Sequence, residues 1–191
     1  MKLHIYIFRH GETYYNKEHM FTGFKDSKLT PLGIKQAKKI AEKLKNKKFQ
    51  VAFQTRLSRS KDTLKPVLKY HPECRKIITD DRMIERCYGK LQGQHHSTII
   101  KKYGKEKFYD WHRSYNIAPP KGESIKMVEK RVLSFIKYLK KFMKKNKVNV
   151  AISSHGNSMR PFRRYFEKMT IKQMMKLENP WDDYFDYTVN V

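Results

Sequence analysis

The sequence predicts an α/β protein: a three-layer α/β/α core with a mainly parallel sheet, carrying a small helical cap as an insertion. Three observations predict it. Short apolar and β-branched runs alternate with longer segments whose apolar residues recur at helical spacing, the pattern of strand–helix–strand crossovers. Two of these runs, residues 3–8 and 148–154, lead straight into a His-Gly pair, His10-Gly11 and His155-Gly156. In open α/β sheets, ligands collect beyond the carboxyl ends of strands, which is where both pairs fall. Between residues 82 and 122 the alternation stops, and aromatic residues, histidines and glycines take over.

Taken in order, Leu3-His4-Ile5-Tyr6-Ile7-Phe8 reads as a buried strand that ends at Arg9-His10, with Gly11 allowing the chain to turn. Residues 14–27 are polar, aromatic and glycine-containing, and read as a functional loop. Thr30 suits a helix N-cap and Pro31 the first turn. Ile34, Ala37, Ile40, Ala41 and Leu44 then form the apolar stripe of that helix. Residues 50–53 make a short strand, followed by a helix over 60–69 that Pro66 interrupts or bends. Residues 75–79 are a third strand. The cap follows, with short helical pieces such as residues 98–103, and Pro119-Pro120 closes it. Residues 123–145 carry the longest helical pattern, with Val128, Val132, Phe135, Ile136, Leu139 and Phe142 as its apolar face. The strand ending at His155 leads into a helix containing Met159, Phe162 and Phe166. The alternating tail, residues 184–191, reads as an edge strand.

At 191 residues and 39% hydrophobic content the chain suits one domain, 1–191, with the cap inserted at about 82–122. No apolar run approaches the roughly 20 residues of a membrane helix, and the opening strand has no secretion-signal pattern. Two cysteines in no metal-like spacing exclude a disulfide framework, and a cytoplasmic location is expected. The formal net charge of +25 fits attraction to polyanions, but the lysines are spread along helices as solvated faces. Nucleic-acid binding is therefore expected to be non-specific if it occurs. The same positive field steers a small phosphorylated substrate inward.

Metal-free phosphoryl transfer needs a nucleophile, cations for the phosphoryl oxygens and an acid for the leaving oxygen. Neutral imidazole serves as the nucleophile near pH 7. Arg9 and Arg59 offer guanidinium donors suited to bidentate contact with phosphate. Gly11 and Gly156 permit close backbone approach, and amides at a helix start bind anions. Glu85, placed at the mouth of the cap, is the candidate proton donor. No metal is expected, since no HExxH, EF-hand loop or zinc-like spacing is present.

The residues that carry these roles also resemble a known family. Arg9-His10-Gly11-Glu12-Thr13 with Asn16, then Phe21-Thr22-Gly23-Phe24, is similar to the opening signature of the histidine phosphatase superfamily, in its cofactor-dependent phosphoglycerate mutase branch. Thr55-Arg56-Leu57-Ser58-Arg59-Ser60 resembles the second-arginine motif of that branch, and Glu85-Arg86-Cys87-Tyr88-Gly89 its acid-bearing motif. Lys102-Tyr103-Gly104 and Trp111-His112-Arg113-Ser114-Tyr115 resemble its cap, and Ser154-His155-Gly156-Asn157-Ser158-Met159-Arg160 its second-histidine motif. The resemblance covers nearly the whole chain. It implies that His10 is phosphorylated and that Arg9, Arg59 and His155 hold the phosphoryl group, helped by Asn16, Asn157 and the Gly156 backbone. It implies Glu85 as general acid and base, with Thr22, Gly23, Arg86, Tyr88, His96, His112 and Arg113 gripping the rest of the substrate.

The function so implied is interconversion of 3-phosphoglycerate and 2-phosphoglycerate, primed by 2,3-bisphosphoglycerate. The chain departs from the branch in two places: His95-His96 stand where it carries a lysine, and His112-Arg113 where it carries paired arginines. The segment between Pro120 and Glu123 is also short. These departures keep open a phosphomonoesterase of a small phosphorylated metabolite, in which water takes the phosphoryl group. A basic RNA-associating protein that kept the fold is the remote alternative. A homo-oligomer is left open.

Overall fold

In the computed structural model, which describes residues 1–190, the chain opens with β1 (Lys2–Arg9), the short helix α1 (Tyr14–Lys17) and α2 (Pro31–Leu44). It continues with β2 (Val51–Gln54), α3 (Ser58–Leu68) and β3 (Lys76–Thr79). Short 3₁₀ turns at Asp81–Met83 and Gly89–Leu91 precede α4 (His96–Arg113). Then come α5 (Ile125–Asn146), β4 (Val150–Ser154), α6 (Gly156–Glu167), α7 (Ile171–Met175) and β5 (Tyr184–Asn190). The strands form one sheet in the order β3-β2-β4-β1-β5. The pairs β3-β2, β2-β4 and β4-β1 are parallel, and β5 runs antiparallel along the outer edge of β1.

Alternation along β1 builds the layers. Leu3, Ile5 and Ile7 point to a core shared with Val132, Phe135 and Leu139 of α5 and Met159 and Phe162 of α6. Tyr6 and Phe8 point the other way, to Ile40, Ala41 and Leu44 of α2 and Leu64 and Val67 of α3. A slip of one residue would exchange the two sets, so the register is strongly specified. Every residue of the central strand β4 is buried. Covered on both faces, it shows no alternation of buried and exposed positions.

The register places the ends of β1 and β4 together. Arg9 sits opposite Ser154, and the amide of His10 donates to the carbonyl of Ser154 at 3.0 Å. The two His-Gly pairs therefore leave neighbouring parallel strands side by side. Glycine is required at the next step. A Cβ on Gly11 would lie 2.3 Å from the Gly33 carbonyl oxygen, and one on Gly33 would lie 2.1 Å from the Glu12 carbonyl oxygen. This backbone-to-backbone contact seats the first turn of α2 under the loop that follows His10.

Several elements differ from the sequence expectation. Residues 14–27 are not wholly loop: Thr13 and Asn16 form a reciprocal capping box that closes α1. Ile34 is 48% exposed, because the contact of Gly33 with the Glu12 backbone turns the helix and places Gly33 on the buried face. Helix α3 starts two residues earlier than expected and runs through Pro66 to Leu68, two residues past the proline. The cap helix extends well beyond residue 103: Gly104, at φ +84°, breaks its axis but the chain resumes helix to Arg113. In α5, which starts at Ile125 behind the Ser124 N-cap, Met143 takes the fully buried place and Phe142 packs at the margin. Helix α7 has no counterpart in the sequence reading. The expected edge strand is β5, and its last residue, Val191, lies outside the described residues.

A third, smaller core of Phe21, Tyr88, Leu91, Ile99 and Trp111 holds the 82–122 segment against the loop that follows α1. No helix among the described residues is long and apolar enough to cross a membrane.

Candidate active site

The carboxyl ends of β1 and β4 form the floor of a cavity of about 170 Å³. His10 is buried there, and its Nδ1 lies 2.7 Å from the Gly11 carbonyl oxygen. A carbonyl only accepts, so Nδ1 carries the proton and Nε2 keeps its lone pair. Burial first, then the Arg59 and Arg9 guanidiniums, hold the His10 pKa well below the ordinary histidine value. The ring is therefore a neutral base with one free nitrogen.

His155 is fully buried, with its ring centroid 5.0 Å from that of His10. Its Nε2 is 2.8 Å from Thr55 Oγ1, and its Nδ1 has no partner. When Nε2 accepts the threonine hydroxyl proton, Nδ1–H is left as a donor. Burial and the neighbouring Arg59 keep this ring neutral as well.

Arg9 donates through Nη1 to the Asn179 carbonyl, and the ring of Trp181 lies over its guanidinium at 3.4 Å. Burial lowers its pKa to about 10, which leaves it charged at neutral pH. Arg59, in the first turn of α3, donates through Nη1 and Nη2 to the carbonyls of Lys25 and Gly23. Each of those two nitrogens keeps a second N–H, and the buried Nε has no partner. Among the described residues, four buried side-chain nitrogens or oxygens lack a partner, and three are Arg9 Nε, Arg59 Nε and His155 Nδ1. Each such group costs about 1–3 kcal/mol when unpaired. Three together beside His10 are the signature of a site built for an anion.

Glu85 lies deep in the site rather than at its mouth, 8% exposed. Its Oε1 accepts from the amides of Arg86 and Asn157, at 2.8 and 3.1 Å. Behind it, Arg131 of α5 donates to the carbonyls of Arg82, Ile84 and Glu85, which fixes the backbone that carries the carboxylate. The potential ligand atoms of His10, Glu85 and His155 lie within 4.8 Å of one another, close enough for a metal ion. Two guanidiniums in the same space favour an anion over a cation.

Asn16, Thr22, Gly23, Tyr88, His96, His112, Arg113, Gly156 and Asn157 all line the cavity. Asn157 donates to the Tyr88 hydroxyl at 3.3 Å, and Gly156 packs against the Arg9 guanidinium. Burial lowers the pKa of His96 to about 4 and of His112 to about 3, so both rings are neutral at pH 7. Arg86 departs from expectation. It is completely buried, does not line the cavity, and spends its guanidinium on the carbonyls of Glu123, His112 and Ile117. Its charge ties the carbonyls of three separate segments together instead of reaching the cavity.

The structure adds residues the sequence reading missed. Arg160 lines the cavity one helical turn after Gly156, a spacing that puts both on one face of α6 and was readable in advance. Glu178, Asn179 and Trp181 come from the segment after α7, and nothing local in the sequence announces that it returns to the site.

The sequence model of the histidine phosphatase superfamily (branch 1) matches residues 5–184. A phosphoglycerate mutase of Schizosaccharomyces pombe is 41% identical over 175 residues, 89% of this chain and 82% of that protein. A 2,3-bisphosphoglycerate-dependent phosphoglycerate mutase of Pseudoalteromonas atlantica is 31% identical over 199 residues, covering 90% and 87% of the two chains. Among solved structures, a putative alpha-ribazole-5'-P phosphatase from Escherichia coli superposes with a TM-score of 0.85 at 22% identity, covering 98% of this chain and 91% of that one.

Proposed function

Because the chain belongs to the histidine phosphatase superfamily, branch 1, we propose that it is a phosphoglycerate mutase working through a phosphohistidine on His10. The three unpartnered nitrogens around the free Nε2 of His10 carry the reading. We take the chain as one domain, with residues 82–122 as the cap over this site.

In each half-reaction His10 Nε2 attacks phosphorus along the line of the ester bond, the N–P bond forms and the P–O bond breaks. Arg9, Arg59 and His155 Nδ1 donate to the three phosphoryl oxygens, whose charge they neutralise without reorganising. Glu85 gives its proton to the leaving oxygen. On return it takes the proton from the attacking hydroxyl, which then removes the phosphoryl group from Nε2. Gly11 keeps Nδ1 protonated throughout, so the ring presents only Nε2. The residues also fit 2,3-bisphosphoglycerate, with one phosphate at the unpartnered nitrogens and Arg113 facing the other end. When bound, that compound supplies the phosphoryl group that primes His10.

A second reading, phosphomonoesterase activity, is favoured by the far end of the cavity. There His96 and His112 are neutral, and the cations that line the cavity beside them are Arg113 and Arg160. A substrate held loosely at that end leaves time for water to attack the phosphohistidine. The test is to incubate the protein with 3-phosphoglycerate, with and without catalytic 2,3-bisphosphoglycerate, and follow 2-phosphoglycerate and free phosphate together. Isomer that depends on the bisphosphate, with little free phosphate, supports the mutase. Free phosphate without isomer replaces it with the phosphatase, and neither product removes both.

A further inference from the structure

His96 and His112 stand at the first turn and the last turn of α4. In an unbroken helix, residues sixteen positions apart would be separated by about 24 Å. Here their ring centroids are 4.9 Å apart, because Gly104 breaks the helix at φ +84° and folds its two halves back on each other. A Cβ at Gly104 would meet nothing, so glycine serves the backbone angle and not a close approach.

The two rings share a setting. Phe21 lies 4.5 Å from His96 and 5.4 Å from His112, and Phe108 lies 5.3 and 5.1 Å from them. Both face the cavity beside Arg113. The charged and titratable groups around them are His19 and His95 from the loop side, Arg86 and Tyr88 below, Arg113 on α4 itself and Arg160 from α6. The carboxylates that line the same cavity are Glu85 and Glu178.

We propose that the His96–His112 pair is a proton-operated specificity subsite: an anionic group on the substrate that reaches the Arg113 end is bound together with a proton taken onto the pair. This rests on the mutase reading of the same cavity, and it names what the far end selects. Without an anion, the crowd of cations and the aromatic walls keep both rings neutral. A carboxylate or a second phosphate beside Arg113 reverses that balance, since an opposite charge at contact distance favours imidazolium. Because the rings touch each other, one proton serves the pair and a second is repelled. Linkage then fixes the sign: a ligand that brings in a proton binds more tightly as pH falls. The affinity changes by up to tenfold per pH unit for one full proton. Substrates with a neutral far end gain nothing from acid, so the pair sorts phosphorylated compounds by the charge of that end.

The experiment is calorimetric titration of the whole protein with 3-phosphoglycerate and, separately, with inorganic phosphate, near pH 6.5 in buffers of different ionisation heat. Proton uptake is read from the buffer dependence. With 3-phosphoglycerate the unmodified protein should take up more protons than the His96→Gln and His112→Asn variants, which keep a neutral polar side chain of similar size. With inorganic phosphate, which does not reach the far end, all three should agree. Equal uptake by all three with 3-phosphoglycerate overturns the proposal. So does an unmodified protein whose 3-phosphoglycerate affinity follows the same pH course as its phosphate affinity. Mutase assays over the same pH range separate the two readings. Interconversion without the extra proton removes the subsite and leaves the mutase, and extra uptake without interconversion keeps the subsite and removes the mutase.

Discussion

Trp181 lies flat over the guanidinium of Arg9, 3.4 Å from carbon to ring centroid, and meets the His10 ring edge-on at 5.8 Å. One residue of the tail therefore covers the Arg9 cation and borders the His10 ring at once. A cation–π contact of this kind contributes about 0.5–2 kcal/mol. Replacing Trp181 by leucine should lower kcat/KM by about 2–30-fold, with the loss expressed in both kcat and KM because Arg9 loses its fixed plane. Steady-state kinetics with the phosphoglycerates would show it. Unchanged constants would mean that Asn179 and Gly156 hold Arg9 without help.

Glu85 is held by two backbone amides on one oxygen, and a glutamine side chain can keep both bonds through its own carbonyl oxygen. Glu85→Gln should therefore fold like the parent yet slow transfer by about 10²–10⁴-fold, the usual worth of a positioned acid. Thermal melting and single-turnover rates together check this. A normal rate in a normally folded variant would move the proton donor elsewhere.

His10→Ala leaves the cavity cations in place and removes the acceptor of the phosphoryl group. All isomerisation and all phosphatase activity should vanish, and no acid-labile phosphate should remain on the protein after incubation with 2,3-bisphosphoglycerate. Retained transfer would remove the phosphohistidine from the mechanism.

Arg86 separates stability from chemistry. Its removal as Arg86→Ala takes the donors from the partly buried carbonyls of Glu123 and His112 and from that of the exposed Ile117. With about 1–3 kcal/mol for a buried group left unsatisfied, the loss should reach about 2 kcal/mol or more, visible as a lower denaturation midpoint in urea. A variant that keeps its midpoint but loses substrate affinity would return Arg86 to the substrate.

Acid should destabilise the fold through the two core histidines. His10 and His155 have pKa values held well below the ordinary value, so the folded state stays unprotonated while the unfolded chain binds protons. Stability is therefore greatest above the unfolded value of about 6.5 and falls as pH drops below it. The slope approaches about 1.4 kcal/mol per pH unit for each histidine. Urea midpoints between pH 7.5 and 5 would display the decline, and saturating phosphate should raise the midpoint throughout. A flat profile would mean that both rings are protonated in the folded protein, and half the slope that one of them is.

Much of this protein is written locally. Alternation in β1, the Val150-Ala151-Ile152 run of β4 and the Thr30-Pro31 cap are consequences of two to eight neighbouring residues, and local pattern reveals them. Because parallel strands place their carboxyl ends at one edge, the His-Gly endings at His10 and His155 also located the site from sequence. What local pattern does not carry is which side chains arrive from a distance. Trp181 reaches Arg9 only because β5 returns along the free edge of β1. Arg86 looks like a substrate ligand beside Glu85, yet three carbonyls from later segments claim it. His96 and His112 are far apart along a helix, and one positive φ at Gly104 puts their rings in contact. Secondary structure follows from short-range sterics and solvation, which the sequence by itself determines. The occupancy of each charge is decided by the partners that the tertiary structure brings within bonding distance.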